Sequence, residues 1–209
     1  MISSIILKGG PVMIPIAVLS IIGLAFIIER AWTLMRIRLD LQRFSGRVFH
    51  YVKDGDYKRA LQACERVRHP IGAMFRLGIR NRATDPKELE AMMEGEGEER
   101  IQRLERFLGA LIVIIGVEPM LGFLGTIVGL IKAFMAWELA GSNITVSALA
   151  AGIYQAMITT AAGLIVSIPY YIAYHLIQGK IKKHAQEMSY YGNRLVRILS
   201  KVEKVEAPE

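Results

Sequence analysis

The chain has 209 residues, of which 53% are hydrophobic and 22% are charged, and its formal net charge is +7. Its mean hydropathy is +0.34, and the apolar residues lie in long blocks with the charges gathered between them, which is the composition of a membrane protein. The single cysteine, Cys64, excludes an intrachain disulfide framework.

Three blocks are each long and apolar enough to cross a bilayer as a helix. Residues 9–28 and 139–179 contain no Asp, Glu, Lys or Arg, and residues 107–131 contain one, Glu118. A helix rises about 1.5 Å per residue and the hydrocarbon core is about 30 Å thick, so we predict three transmembrane helices. Glu29 and Arg30 follow the first block, so we expect a retained helix there and not a cleaved signal peptide.

The positions of the basic residues predict the orientation of the chain in the membrane. They explain the positive net charge by topology and not by nucleic-acid binding. Sixteen Lys and Arg residues lie in residues 36–106 and seven lie from residue 180 onward, whereas residues 138–146 contain none. Because basic segments stay in the cytoplasm, we expect the middle segment and the C-terminus inside and the N-terminus outside. Lys8 is a minor exception to the rule.

The middle segment has the pattern of amphipathic helices. Apolar residues recur at helical spacing from Leu39 onward, and Asp56 is placed to cap a helix that we expect to reach about Arg68. A short helix is predicted over residues 71–80. Asp85 followed by Pro86 then predicts a helix start, and we expect this helix to continue without a break into the second membrane helix.

The predicted fold class is an all-α membrane protein with three transmembrane helices and long cytoplasmic helical extensions. Its predicted segments are an N-terminal segment with the first membrane helix (1–35), a cytoplasmic helical domain (36–106), the second membrane helix (107–138), an outer turn (139–146), the third membrane helix (147–179), and a cytoplasmic C-terminal helix and tail (180–209). We expect the C-terminal helix to pack beside the middle domain.

Small residues form stripes on the second and third membrane helices. Gly125 and Gly129 have the GxxxG spacing that lets two helix backbones approach closely. We therefore predict that the two helices pack as a hairpin, with glycines at the contact at positions Gly122, Gly125, Gly129, Gly152 and Gly163.

Polar side chains within the apolar blocks are costly in a bilayer unless they face protein or water. They are Glu118, Thr126, Lys132, Gln155, Thr159 and Thr160. Lys132 lies near the outer end, where a long side chain extends to the headgroups. On ideal helices the others do not all face one line, so a polar lumen requires several helices or several copies of the chain. For each threonine, a hydrogen bond to its own helix backbone is the alternative to a functional role.

Two motifs carry a resemblance to a known family. GVEPMLGFLGTIVGLIKAF (residues 116–134) and AAGIYQAMITTAAGLIVSIPYYIAY (150–174) resemble the pore helices of the ExbB/TolQ/MotA proton-channel family. The opening GGPVMIPIAVLSIIGLAFIIER, the GDYKRALQACERV segment and the order of three helices are similar to the ExbB/TolQ branch. The resemblance implies an inner-membrane motor subunit that forms a ring-shaped homo-oligomer, a pentamer, around two copies of an ExbD/TolR-like single-span partner. A TonB/TolA-like transmitter then carries the force to the envelope.

The resemblance also assigns roles to residues. Thr126 matches the pore threonine of the family's second helix and Thr160 that of its third. Gln155 stands where the ExbB/TolQ pattern has a glutamate, so the titrating carboxylate is expected from an aspartate of the partner. Glu118 precedes the proline at a position that is usually small, about 12 Å along the helix from Thr126, and is expected at the cytoplasmic exit. Thr159 beside Thr160 resembles sodium-driven stators, so the transported ion is a proton or, as the alternative, Na⁺.

Two rival classes of function remain. Neither HExxH, GxSxG nor a phosphate-binding GxxxxGKS occurs in the chain, so we expect no enzyme activity, no metal and no cofactor. A non-conducting membrane scaffold is the stronger rival, and it predicts that loss of the Thr126 or Thr160 hydroxyl is harmless. A flagellar stator is disfavoured because four membrane helices would be expected.

Overall fold

The computed structural model of the protein describes residues 8–140 and 146–206. Within these ranges the regular structure is helical and no strand occurs, as predicted for an all-α chain. The helices are α1 (Met13–Arg36), α2 (Leu41–Lys53), α3 (Tyr57–Glu65), α4 (Ile71–Arg80), α5 (Pro86–Glu105), α6 (Leu108–Ala140) and α7 (Val146–Glu206). Most of the predicted outer turn, residues 141–145, lies outside the described residues.

Three stretches of described helix are long and apolar enough to cross a membrane. They are Met13–Arg36, Pro86–Leu139 and Leu149–Val202, whose mean hydropathies are 2.0, 2.2 and 1.6. The apolar windows correspond to α1, α6 and the first part of α7, which confirms the predicted number of membrane helices. No more than a third of each apolar window is buried within the chain, so most of its surface is available to lipid or to other helices.

The chain divides into two compact units. The apolar unit comprises the chain up to Glu29 together with Phe107–Leu176, and the polar unit comprises Arg30–Arg106 together with the chain from Ile177 onward. α1 and α7 each contribute residues to both units.

The polar unit has its own hydrophobic core, built by α2 to α5 and the second part of α7. Phe44 and Phe75 are 1% and 0% exposed, and their ring centroids lie 5.9 Å apart. From α7, Met188 and Leu195 enter the same cluster. The C-terminal helix therefore packs on the middle segment, as predicted. Each helix has one apolar face that a single helix in water leaves uncovered, so their association buries these faces together.

The prediction of one continuous helix from Asp85 into the second membrane helix is wrong. α5 ends at Glu105 and α6 begins at Leu108, and Phe107 between them has a positive φ of 68°. The end of α5 has a specific cause, since the guanidinium of Arg30 donates hydrogen bonds to the carbonyls of Arg103 and Leu104 at 3.1 and 3.2 Å. These are among the carbonyls that a helix end leaves without an internal donor.

The helix capped by Asp56 is also shorter than predicted. Asp56 accepts a hydrogen bond from the backbone N–H of Arg59, as expected of a cap, but α3 ends at Glu65 and not near Arg68. The following residues turn so that the ring of His69 accepts a hydrogen bond from the Ile71 N–H at 3.1 Å, at the start of α4. Pro70 disfavours a helical conformation at His69, the residue before it, which keeps α3 and α4 separate.

Candidate functional site

α6 and α7 approach each other closely within the apolar unit, and glycines make the approach possible. A Cβ atom placed on Gly129 would lie 2.6 Å from the carbonyl oxygen of Gly152, and one on Gly152 would lie 2.6 Å from the carbonyl oxygen of Gly129. A Cβ atom on Gly163 would lie 2.6 Å from the carbonyl oxygen of Glu118, and one on Gly122 would lie 3.0 Å from that of Thr159. We call this contact the α6–α7 seam.

Gly125 completes the seam beside a buried threonine. A Cβ atom on Gly125 would overlap the side chain of Thr159, which is 0% exposed. The Thr159 hydroxyl lies 3.1 Å from the carbonyl oxygen of Gln155 and 3.0 Å from that of Ala156, both in its own helix. The hydrogen bonds of the Thr159 hydroxyl therefore stay within α7.

Thr126 of α6 and Thr160 of α7 are brought together. Their hydroxyl groups hydrogen-bond to each other across the seam. The Thr160 hydroxyl lies 3.2 Å from the Gly122 carbonyl oxygen, and the Thr126 hydroxyl lies 3.3 Å from the carbonyl oxygens of Gly122 and Ala156. Two hydroxyl and two carbonyl oxygens thus meet at one point of an otherwise apolar contact, and both threonines are half-buried.

Gln155 lies elsewhere and has a partner that the sequence did not indicate. The ammonium group of Lys132 donates a hydrogen bond to the Gln155 side-chain carbonyl at 3.1 Å. The amide nitrogen of Gln155 is buried and has no hydrogen-bond partner. Lys132 was expected to extend to the headgroups. It instead reaches across to α7, and only the spacing of α6 against α7 could have shown that these two residues lie level.

Glu118 is fully enclosed, at 0% exposure, and neither carboxylate oxygen has a hydrogen-bond partner within the described part of the chain. It lies beside Pro119, inside α6. Gly163 of α7 packs on its backbone. Glu118 and Thr126 lie eight residues apart in the same helix, α6, which corresponds to a rise of about 12 Å.

The polar residues occupy two different edges of the seam. On α6, Thr126 and Lys132 lie about 60° to either side of Gly129. The edge with Gln155 faces the residues before α1, since a Cβ atom on Gly10 would lie 2.6 Å from the Gln155 amide nitrogen. The Thr126–Thr160 edge points away from that contact. The structure therefore brings Thr126 and Thr160 together and places Gln155 and Glu118 elsewhere, whereas the Thr159 hydroxyl shares the Ala156 carbonyl oxygen with Thr126.

No group of three or more His, Cys, Asp or Glu side chains suited to a metal ion occurs among residues 8–140 and 146–206. Two histidines of the polar unit do meet, which their distance in sequence did not suggest. His69 Nε2 lies 3.1 Å from His184 Nδ1, and burial together with the charge of His184 lowers the pKa of His69 to about 4.

Comparison with known proteins gives a consistent result. The model of the MotA/TolQ/ExbB proton channel family matches residues 66–190 of the chain. A Synechocystis protein described as biopolymer transport protein ExbB-like 1 is 31% identical over 188 residues, which cover 88% of this chain and 72% of that protein. A Methanothermobacter thermautotrophicus ExbB homolog is 31% identical over 202 residues, covering 91% and 70%. The TolQ protein of the Tol-Pal system of Haemophilus influenzae is 34% identical over 93 residues, covering 44% and 39%.

Proposed function

Because this chain belongs to the ExbB/TolQ branch of the MotA/TolQ/ExbB proton channel family, we propose that it is the channel-forming subunit of an ion-driven motor in the inner membrane. Such a subunit couples the flow of a cation down its electrochemical gradient to mechanical work on the cell envelope. This role needs apolar helices that form the ion path and a polar unit that holds the assembly together, and the chain has three apolar helices and a separate polar unit.

The contact between Thr126 and Thr160 is the observation that carries the proposal. It places four oxygen atoms together at mid-helix, where neutral oxygens are the groups that replace water around a desolvated cation. A purely structural threonine needs only carbonyls of its own helix, as the Thr159 hydroxyl has. Thr126 has such a carbonyl in Gly122, but Thr126 and Thr160 also form bonds that cross between the helices, at an edge that is half-buried in the single chain.

The Thr126–Thr160 edge of one chain does not enclose an ion path by itself. We propose that copies of this chain, five in the family pattern, surround two single-span ExbD/TolR-like partners with the Thr126–Thr160 edges facing inward. Gln155 is an amide and exchanges no proton, so the titrating carboxylate is an aspartate of the partner. A TonB/TolA-like protein would transmit the force. The N-terminus lies outside and the polar unit lies in the cytoplasm, in keeping with its basic residues.

Removal of the two hydroxyl groups tests the proposal directly. The complex of this chain with its co-purified single-span partner is reconstituted into vesicles, a potassium diffusion potential is imposed, and internal pH is followed with a dye. Thr126→Val and Thr160→Val keep the side-chain shape without the hydroxyl, and we expect proton entry to be lost. Thr126→Ser keeps the hydroxyl and serves as the matched control, which should conduct.

Size-exclusion chromatography of each variant establishes that the complex is still assembled. Wild-type conduction by assembled Thr126→Val and Thr160→Val complexes would contradict the role of the pair. An assembled wild-type complex that passes neither protons nor Na⁺ would favour the non-conducting scaffold. Uptake of ²²Na⁺ (radioactive sodium) in place of acidification would identify the sodium-driven alternative.

A further inference from the structure

We propose that Glu118 holds a monovalent cation inside the packed helices of a single chain, at a site separate from the Thr126–Thr160 pair. Its side chain is 0% exposed, and neither carboxylate oxygen has a hydrogen-bond partner within the described residues. A buried charge without a partner is among the least favourable arrangements in a protein, so a positive counter-ion must accompany this carboxylate. Glu118 is therefore either protonated, as a neutral carboxylic acid, or ionised and paired with a bound Na⁺.

The groups that face Glu118 supply no positive charge. Tyr170 of α7 is the titratable side chain within electrostatic range of Glu118, and its hydroxyl donates to the Ser20 carbonyl at 2.5 Å. The Tyr170 proton is thus engaged with α1. Gly163, the α7 residue packed on Glu118, has no side chain to contribute. Among the described residues, no Lys or Arg forms an ion pair or hydrogen bond with the carboxylate.

The backbone of α6 offers a candidate for a second oxygen ligand. Pro119 lies inside the helix and has no N–H, so the carbonyl of Ile115 loses the donor that a regular helix would provide. Ile115 precedes Glu118 by three residues, which places both on one face, and helical side chains lean toward the preceding turn. Ile115 is itself buried. The Glu118 side chain and this freed carbonyl therefore lie on one face of α6 in neighbouring turns, which makes the carbonyl the candidate second oxygen ligand.

The site is distinct from the proposed ion path. Eight residues of α6 separate Glu118 from Thr126, a rise of about 12 Å, so one desolvated cation does not touch both. The enclosure of Glu118 involves one chain only, whereas the Thr126–Thr160 edge needs other chains to close it. The cation at Glu118 can consequently be tested whether or not the assembly conducts.

The experiment measures thermal unfolding of the full chain in detergent micelles. One series replaces Na⁺ by choline at constant ionic strength, and a second series varies pH in choline buffer. The variant is Glu118→Gln, which has nearly the same shape and no charge. The matched control is Glu138→Gln, at an exposed position of α6.

We expect the unfolding midpoints of the wild type and of Glu138→Gln to depend in the same way on Na⁺ or on pH. The midpoint of Glu118→Gln should lose this dependence. If Na⁺ is the ligand, the unfolding midpoint rises with Na⁺ concentration with the slope of one cation per chain. If a proton is held, Na⁺ has no effect and the midpoint falls as pH rises, because the folded chain then gives up a proton that it binds more tightly than the unfolded chain. The proposal is overturned if Glu118→Gln shows the same Na⁺ and pH dependence as the wild type.

Discussion

Gln155 leaves the two N–H bonds of its amide without an acceptor, although its carbonyl oxygen is bound by Lys132. An enclosed donor without an acceptor is unfavourable by about 1 to 3 kcal/mol. A glutamate at this position would remove that donor and would place a carboxylate against the Lys132 ammonium. The residue that the family pattern has here is therefore also the one that this lysine would accommodate.

We predict that Gln155→Glu stabilises the chain by about 1 kcal/mol, since a hydrogen bond between charged groups is stronger than one to a neutral amide. Unfolding in micelles by a denaturant or by heat provides the measurement. The same substitution in a Lys132→Met background should destabilise instead, because the new carboxylate then has no counter-ion. Equal effects of Gln155→Glu with and without Lys132 would show that the two side chains do not interact.

At the scale of the element, the α6–α7 seam depends on backbone contact. Gly129 and Gly152 each lie so close to the other's carbonyl that a methyl group requires the helices to separate. Gly116, also in α6, has open space around it. The two kinds of glycine look alike in the sequence, and only the helix pairing distinguishes them.

We predict that Gly129→Ala destabilises the chain by about 1 to 3 kcal/mol, the usual effect of overpacking. Gly116→Ala, the matched control, should be neutral or stabilising, because alanine is the better helix former. The unfolding midpoints of the two variants in micelles decide the matter. A Gly129→Ala midpoint equal to that of Gly116→Ala would mean that the helices are not in close contact.

The link between α3 and α4 contains the histidine pair of the polar unit. The Ile71 N–H donates to His69 Nδ1, so the neutral ring carries its proton on Nε2 and donates it to His184 Nδ1. Burial lowers the pKa of His184 as well, with Glu187 opposing the shift and Lys183 adding to it. The arrangement therefore requires both rings to be neutral.

We predict that this pair makes the polar unit sensitive to acid. The pKa of His69 falls from 6.5 to about 4 on folding. The neutral ring therefore contributes fully to the stability of the polar unit above pH 6.5, and this contribution is lost as the pH falls from 6.5 toward 4. The loss is at most about 3 kcal/mol. Unfolding followed across this pH range should show it in the wild type and in the exposed-site control His50→Gln, but not in His69→Gln. An unchanged pH dependence in His69→Gln would assign the effect to other groups.

At the scale of the whole molecule, the basic polar unit and residues 138–146, which contain no Lys or Arg, predict opposite sides of the membrane. Cys64, the native cysteine, is 3% exposed, and burial raises the pKa of its thiol to about 12. A buried thiol in its protonated form reacts slowly with maleimides. The native chain is consequently a suitable background for labelling single introduced cysteines.

We predict that a membrane-impermeant maleimide added to intact spheroplasts labels the variant Glu138→Cys and not the variant Lys87→Cys. Both positions are exposed in the structure, so the difference reports the side of the membrane. Permeabilised spheroplasts should show labelling of both variants and almost none of the wild type. Labelling of Lys87→Cys in intact spheroplasts would reverse the proposed orientation.

The sequence by itself determined the features that depend on local composition and periodicity. Uninterrupted apolar blocks predicted the three membrane helices, and Asp85 with Pro86 predicted the start of α5, because a bilayer span and a helix cap are each specified by neighbouring residues. The motifs around Thr126 and Thr160 indicated the family for the same reason, since their spacing is carried within two short stretches of chain.

Tertiary structure alone decided the features that depend on contacts between distant residues. Arg30 ends α5 by binding the carbonyls of Arg103 and Leu104, and no local pattern announces a helix stop that is supplied from more than seventy residues away. The division of the polar residues between two edges of the seam, and the enclosure of Glu118, likewise follow from how α6 packs on α7. A helical face acquires its chemical role only when its neighbour is known, because the neighbour determines which polar groups are satisfied and which remain available.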